Sequence, residues 1–224
     1  MTRSLLGALI AAPIAFGATM ATAADLPETK LKVIGGFGIT TQSKLLEQPF
    51  WKKTITEKSG GAITADIRPW NEMGLKGAEL FRLVAKGTVD AATGYLGHMA
   101  GDSPINEGMD LAGQSPTYED FEKVTAAFRP TLEAHYMDKL GLKILGVWSY
   151  QAQVLFCRDE LKTLAGLKGR KIRVSGASQS EFISHFGGSG IPMSFGEVQQ
   201  SLSKGVIDCA ITGTLGGYKA KWVE

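Results

Sequence analysis

Two cysteines in 224 residues are too few for a disulfide scaffold. Three histidines, His98, His135 and His185, stand at no ligand spacing to one another or to the cysteines, which speaks against a metal site. Net charge is nearly missing as well. With 24 Lys and Arg against 22 Asp and Glu, the formal balance is +2. That gives no general field for nucleic acid or anionic lipid, so any anion has to be recognised at a local site. Apolar residues make up 44% and charged residues 21%, which excludes a disordered or collagenous chain. The length can bury a real core, in one large domain or two small ones. Glycine is plentiful at 28 residues, above average usage, and clusters where strands and helices end.

The N-terminus reads as an address. Met1–Ala24 carries one charge, Arg3, followed by an apolar run broken at Pro13 and Gly17 and ending in small residues. Ala21-Thr22-Ala23 has the A-x-A form cut by a signal peptidase. A membrane anchor is the alternative, but the run is marginal for about 30 Å of hydrocarbon, and the small residues ahead of Asp25-Leu26-Pro27 favour cleavage. The expectation is a cleaved signal over 1–24 and a periplasmic protein. No cysteine lies near the cut, so a lipid anchor is not expected. In an oxidising compartment Cys157 and Cys209 can join, or remain two buried thiols on different strands. Sequence favours neither.

One β-α-β-α-β unit is written twice. In the first, strand Leu31–Gly35 leads through a glycine-rich loop to a helix over Ser43–Lys58, with Leu45, Leu46, Phe50 and Ile55 placed on one apolar side. Ser59-Gly60-Gly61 stops it. Strand Ala62–Arg68, a helix over Leu75–Lys86 and strand Val89–Thr93 follow. The second unit predicts strand Lys171–Val174, helix Gln179–Phe186, strand Ile191–Met193, helix Phe195–Lys204 and strand Val206–Ile211. Their closing segments match best, KGTVDAATG (Lys86–Gly94) against KGVIDCAITG (Lys204–Gly213). Each has a Lys in the last helical turn, a Gly that ends the helix and an Asp that opens the strand. Two such units argue for two α/β lobes with mostly parallel sheets.

Between the units, Thr117 and Asp120 form a capping-box start for a helix running to about Leu140, with Pro130 inside and Gly141 closing it. Leu142–Trp148 and Gln153–Cys157 are strand-like, and the polar bend Ser149–Ala152 marks the crossing between lobes. Ligands in open parallel sheets sit beyond the carboxyl ends of the strands. Two facing lobes therefore define one cleft.

No acid, base and nucleophile set is visible for that cleft. Gly176-Ala177-Ser178-Gln179-Ser180 lacks the final glycine of a nucleophile elbow. Gly35-Gly36-Phe37-Gly38 has neither dinucleotide spacing nor the Lys-Ser/Thr of a phosphate loop. Glu119-Asp120 and Asp159-Glu160 lie at helix starts, where acids are ordinary. No catalytic residue and no cofactor are assigned, and binding is the better reading. Arg173 lies near the carboxyl end of its strand, where a guanidinium can grip a carboxylate with two parallel hydrogen bonds beside a helix N-terminus. It can equally be one of three charges, with Arg170 and Lys171, that discourage pairing at a strand edge. Phe195 offers an apolar wall or plain core packing. Thr212-Gly213 offers a small polar contact or a simple strand end. Trp148 and Tyr150 either line the cleft or pack the hinge.

The second unit, LKGRKIRVSGASQ (Leu167–Gln179), IPMSFGEV (Ile191–Val198) and LSKGVID (Leu202–Asp208), resembles the solute-binding proteins of tripartite ATP-independent periplasmic (TRAP) transporters, dicarboxylate-binding type. FWKKTITEKSGG (Phe50–Gly61) and ELFRLVAKGTVD (Glu79–Asp90) agree. The resemblance implies a two-lobed receptor of the periplasmic-binding-protein type II fold that closes on an organic acid and delivers it to a membrane permease. It implies that Arg173 pairs with the ligand carboxylate and that Phe195 touches ligand. Where relatives have an Asn contact, Thr212 stands, and where some acidic-sugar receptors carry a further basic residue, Gln153 or Val154 does. The site is thus less cationic, which favours a monocarboxylate or a partly apolar acid. Expected lobes are 25–148 and 149–213, with 214–224 beginning a C-terminal element that relatives continue much further. An ABC-type receptor, or a hydrolase- or transferase-like enzyme, is the rival reading.

Overall fold

The computed structural model describes residues 26–77 and 79–222; the expected signal segment lies outside them. Among the described residues seven strands form two sheets. The first has β1 (Thr29–Gly35) at its centre, with β2 (Ile63–Pro69) on one side and β3 (Ala91–Ala92) on the other, all parallel. The second runs β4 (Gln153–Cys157), β7 (Cys209–Gly213), β5 (Lys171–Val174), β6 (Ser189–Pro192). Here β5 is parallel to both neighbours and β4 is antiparallel to β7.

The written repeat is therefore a structural one: in both units the first strand lies between the second and the third. The shared motif explains how each is held. Asp90 accepts the Lys32 N–H at 2.7 Å on its carboxylate while its own N–H donates to Lys32 O at 2.9 Å. Asp208 repeats both contacts with Lys171, at 2.7 and 2.8 Å. Gly87 and Gly205, which end the preceding helices, take φ of 67° and 71°, values a side chain would strain.

The helices are α1 (residues 41–58), α2 (Leu80–Ala85), α3 (Tyr118–Leu140), α4 (Ala177–His185), α5 (Val198–Ser203) and α6 (Thr214–Lys219). At the start of α3 the Thr117 hydroxyl accepts the Asp120 N–H, and Gly141 closes it at φ 64°. Helix α2 starts five residues later than the sequence predicts, after Gly77 at φ 93°.

Strand β7 likewise starts three residues later than expected, and other expectations fail outright. Leu45 and Leu46 are each 67% exposed, and Phe50 is exposed too, so the predicted apolar side of α1 is not buried. Ser43–Glu47 and Phe50–Thr54 are π-helical, and the wider turn rotates residues spaced for 3.6 per turn off a common face. Ser43 is what α1 buries. Residues 142–148 form no strand among the described residues. Leu142 and Ile144 alternate as a strand requires and, with Val147, pack with Leu132 and Tyr136, but a ladder needs a neighbouring backbone.

Each face of the second sheet has its own core. Ile172, Val174, Ile183, Cys209 and Ile211 make one, closed by a Cys157–Cys209 disulfide between register partners. Val198, Leu202, Ile207, Ala210 and Trp222 make the other. Arg173 points to that second side.

Candidate functional site

Arg173 sits in the middle of β5, three per cent exposed. Its Nε donates to Met193 O at 3.0 Å and its Nη1 to Ile211 O at 2.8 Å. These carbonyls, one just after β6 and one in the middle of β7, fix the plane of the guanidinium. Trp222 backs it, the Cζ lying 5.6 Å from the ring centre. Among the described residues no carboxylate forms an ion pair with it. Burial lowers its pKa to about 10, with Tyr95 acting in the opposite sense, so it remains a cation at neutral pH. An unpaired buried charge is costly, and an anion offsets that cost best.

A chain of rings surrounds this cation and crosses from one lobe to the other. Phe195, opening the turn Phe195–Glu197, lies 4.8 Å from Trp222 and 5.4 Å from Phe37. Phe37 stacks on Trp70 at 4.9 Å, Trp70 meets His98 at 6.3 Å, and His98 meets Tyr95 at 5.1 Å. His98 is held neutral, its pKa lowered to about 4 by burial and then by Arg173. Glycine lets the loop that carries Phe37 pack against the end of β2. A Cβ on Gly38 would lie 2.9 Å from Pro69 and Glu72.

Two glutamates hold backbone donors near these elements. Glu47 accepts the Gly36 N–H at 2.8 Å on one carboxylate oxygen, while the other is buried with no partner among the described residues. Glu107, buried in lobe 1, accepts the Ala177 N–H at 2.6 Å and the Ser178 N–H on its other oxygen. Burial first, then Asp110 and Glu107, push the Tyr95 hydroxyl upward. Burial also raises Asp110.

Of the residues singled out in the sequence, Arg173, Phe195 and Thr212 converge. Thr212 is buried on β7, two residues beyond the register partner of Arg173, Ala210, and so on the same face of the sheet. Val154 pairs with Thr212 and shares that face, whereas Gln153 lies on the opposite one, and both are exposed. Trp148 is 49% exposed on the extended segment, away from the ring chain. Tyr150 is 41% exposed, and burial, then Glu47, raise its hydroxyl. Phe37, Trp70, Tyr95, His98, Glu107 and Trp222 were missed. The GGFG loop after β1 was the one available signal, since two glycines let Phe37 reach across. The others come together only in three dimensions.

Two recesses lie elsewhere, about 310 Å³ beside Leu111 and Phe182 and about 410 Å³ beside Arg82, Ser103 and His135. Neither contains a buried cation lacking an acid, since Arg82 is exposed and paired with Asp102 at 2.5 Å. Among the described residues no three His, Cys, Asp or Glu side chains gather as a metal ion requires.

Residues 39–221 match the family of bacterial extracellular solute-binding proteins, family 7 (DctP). The chain belongs to that family. A Salmonella typhimurium protein, YiiZ, is 28% identical over 165 residues, covering 72% of this chain and 50% of its own length. DctP7 of Bordetella pertussis, an extracytoplasmic solute receptor binding pyroglutamic acid, superposes with a TM-score of 0.76 at 23% identity, over 86% of this chain and 63% of its own. A marine metagenome TRAP solute-binding protein from an unidentified microbe, specific for aromatic acid ligands and solved with 3-hydroxybenzoate, gives 0.70 at 23%, over 88% and 61%. These solved structures establish the two-lobed fold. The chain spans about half the length of its curated relative and under two thirds of these receptors.

Proposed function

We propose that this DctP-family chain is an extracytoplasmic receptor for a small, cyclic or partly apolar monocarboxylate. It closes its two lobes on the acid and hands it, unchanged, to the permease subunits of a TRAP-type secondary transporter. Residues 1–24 serve as signal peptide, 25–148 and 149–213 as the lobes, and 214–224 as the start of a further element. The observation that carries the reading is Arg173, a buried cation whose bonds to Met193 O and Ile211 O leave it without a carboxylate among the described residues. Phe195 and Phe37 supply flat apolar walls from opposite lobes, and Thr212 a small polar contact on the face of Arg173. The orphaned Glu47 oxygen calls for a hydrogen-bond donor on the ligand. The acids held by the two solved receptors, pyroglutamic acid and 3-hydroxybenzoate, combine these features: one carboxylate, a ring and a donor.

Melting temperatures measured against a panel of carboxylic acids, sugars and amines test the assignment. A bound ligand at a hundred times its Kd stabilises by about 2.7 kcal/mol, so a matching acid should shift the melt clearly and be recovered intact. Arg173→Ala should then weaken its binding by roughly thirty- to several-thousand-fold, as truncating one member of a buried charge pair does. Shifts by sugars or amines alone, or an Arg173→Ala protein that folds and binds normally, would remove the proposal.

A further inference from the structure

Arg173 is not the only anion site that the second lobe builds. Helix α4 begins four residues after it, with Gly176 as its N-cap. The first amides of such a helix carry unsatisfied donors and the positive end of the dipole, which together receive carboxylates and phosphates. Here those donors are already taken, and from the other lobe. Glu107 accepts both the Ala177 and the Ser178 N–H. The fit is close: a Cβ at Gly176 would lie 2.5 Å from Glu107 Oε1 and 3.8 Å from Gly97 Cα. Asp110, three residues on, adds a second acid beside Tyr95, and its backbone carbonyl faces the Ser178 hydroxyl at 3.5 Å. Tyr95 joins this acidic pair to the ring chain beside Arg173: its hydroxyl donates to Asp110 at 3.4 Å and its ring meets His98 at 5.1 Å.

We propose that Glu107 makes the cleft a filter for singly charged acids. When the lobes shut, its carboxylate fills the backbone donors of α4 that a second ligand carboxylate would otherwise use. Glu107 is thus a specificity-determining residue. It contributes the second anion itself, so Arg173 is left to hold one carboxylate, and a dianion meets like charge at the far end. The inference rests on Arg173 being the ligand anchor.

The test compares acids that differ only in that second charge: succinamate with succinate, glutaramate with glutarate, and 3-carbamoylbenzoate with isophthalate. Dissociation constants are measured by calorimetry on the unaltered protein, on Glu107→Ala and on the size-conserving Glu107→Gln, each checked for folding by its melt. The unaltered protein should prefer the amide of each pair that binds. Glu107→Ala frees both amides and should shift the preference toward the diacid by roughly ten- to hundred-fold, with a smaller shift in Glu107→Gln. A readout that needs no ligand is hydrogen exchange at the Ala177 and Ser178 amides, which should quicken in Glu107→Ala. If monocarboxylates bind through Arg173 but neither the ratio nor the exchange moves, the filter is wrong and the anchor stands. If no acid binds the unaltered protein, the anchor fails and the filter falls with it.

Discussion

At Arg173 the chemistry of a single side chain sets the character of the cleft. A lysine there would be a point charge on a flexible stem, unable to reach Met193 O and Ile211 O while presenting a free edge to a planar carboxylate. The same burial that readies Arg173 also governs His98. Its pKa falls to about 4 in the folded protein, from an ordinary value near 6.5. The unfolded chain therefore takes up a proton between about pH 6.5 and 4 that the folded one refuses. Stability from this residue is fully present above pH 6.5 and declines as the pH drops toward 4, with a slope of at most about 1.4 kcal/mol per pH unit. Denaturant titrations across that window should show a shallower fall in His98→Gln than in the unaltered protein. An identical slope in both would mean that His98 is not held neutral.

Among the elements, the β4–β7 pair carries the clearest stability prediction. Cys157 and Cys209 are register partners 52 residues apart in sequence. Cross-linking a loop of that size restricts the unfolded chain by about 4 kcal/mol on the entropic account, and typical losses are about 2–5 kcal/mol. The double variant Cys157→Ala, Cys209→Ala should lose stability on that scale in denaturant melts, and a midpoint equal to that of the oxidised protein would refute it. The start of α4 gives a contrasting case. Gly176 has an extended backbone at φ −154° that any residue adopts, so Ala costs little within its own lobe. Its Cβ would press on Glu107 only when the lobes meet. Gly176→Ala should therefore weaken acid binding in calorimetry while leaving the ligand-free melt within about 0.5 kcal/mol. A large loss in the ligand-free melt would show that the contact belongs to folding.

How far the sequence carried follows from what each element depends on. Helix α3 was legible to the residue because its start and stop are local: a Thr117 cap, a Gly141 left-handed turn. Strand β4 was placed correctly too, but not its antiparallel partner, because pairing direction is a tertiary matter. The apolar side of α1 misled because periodicity assumes an α-helical turn, and the π-helical stretches break that assumption.

For the whole molecule, closure is built from few contacts across the cleft: Phe37 on Phe195, Glu107 on α4, Gln42 Nε2 to Ser149 O at 3.2 Å, Lys219 Nζ to Thr41 Oγ1 at 2.8 Å. Contacts so few leave the proposed closure to be completed by the ligand, which must bind the shut form better than the open one. Small-angle scattering should show the radius of gyration shrinking on saturation with a bound acid, and not in Arg173→Ala at the same concentration. A particle of unchanged size with ligand fully bound would rule out closure as the response. The site was only half visible at this scale. Arg173, Phe195 and Thr212 come from one lobe and lie near one another in sequence, whereas the opposing rings and acids are brought in by topology.

The matched aspartates of the two sheets bear on how such a motion proceeds. Asp90 and Asp208 each pin a third strand to the central one, at Lys32 and Lys171. Each half is thereby stitched independently, and neither ladder has to slide when the other half swings. On the proposed closure, bending would fall to the connecting polypeptide, the jaws would travel as stiff plates and the guanidinium would keep its aim throughout the stroke.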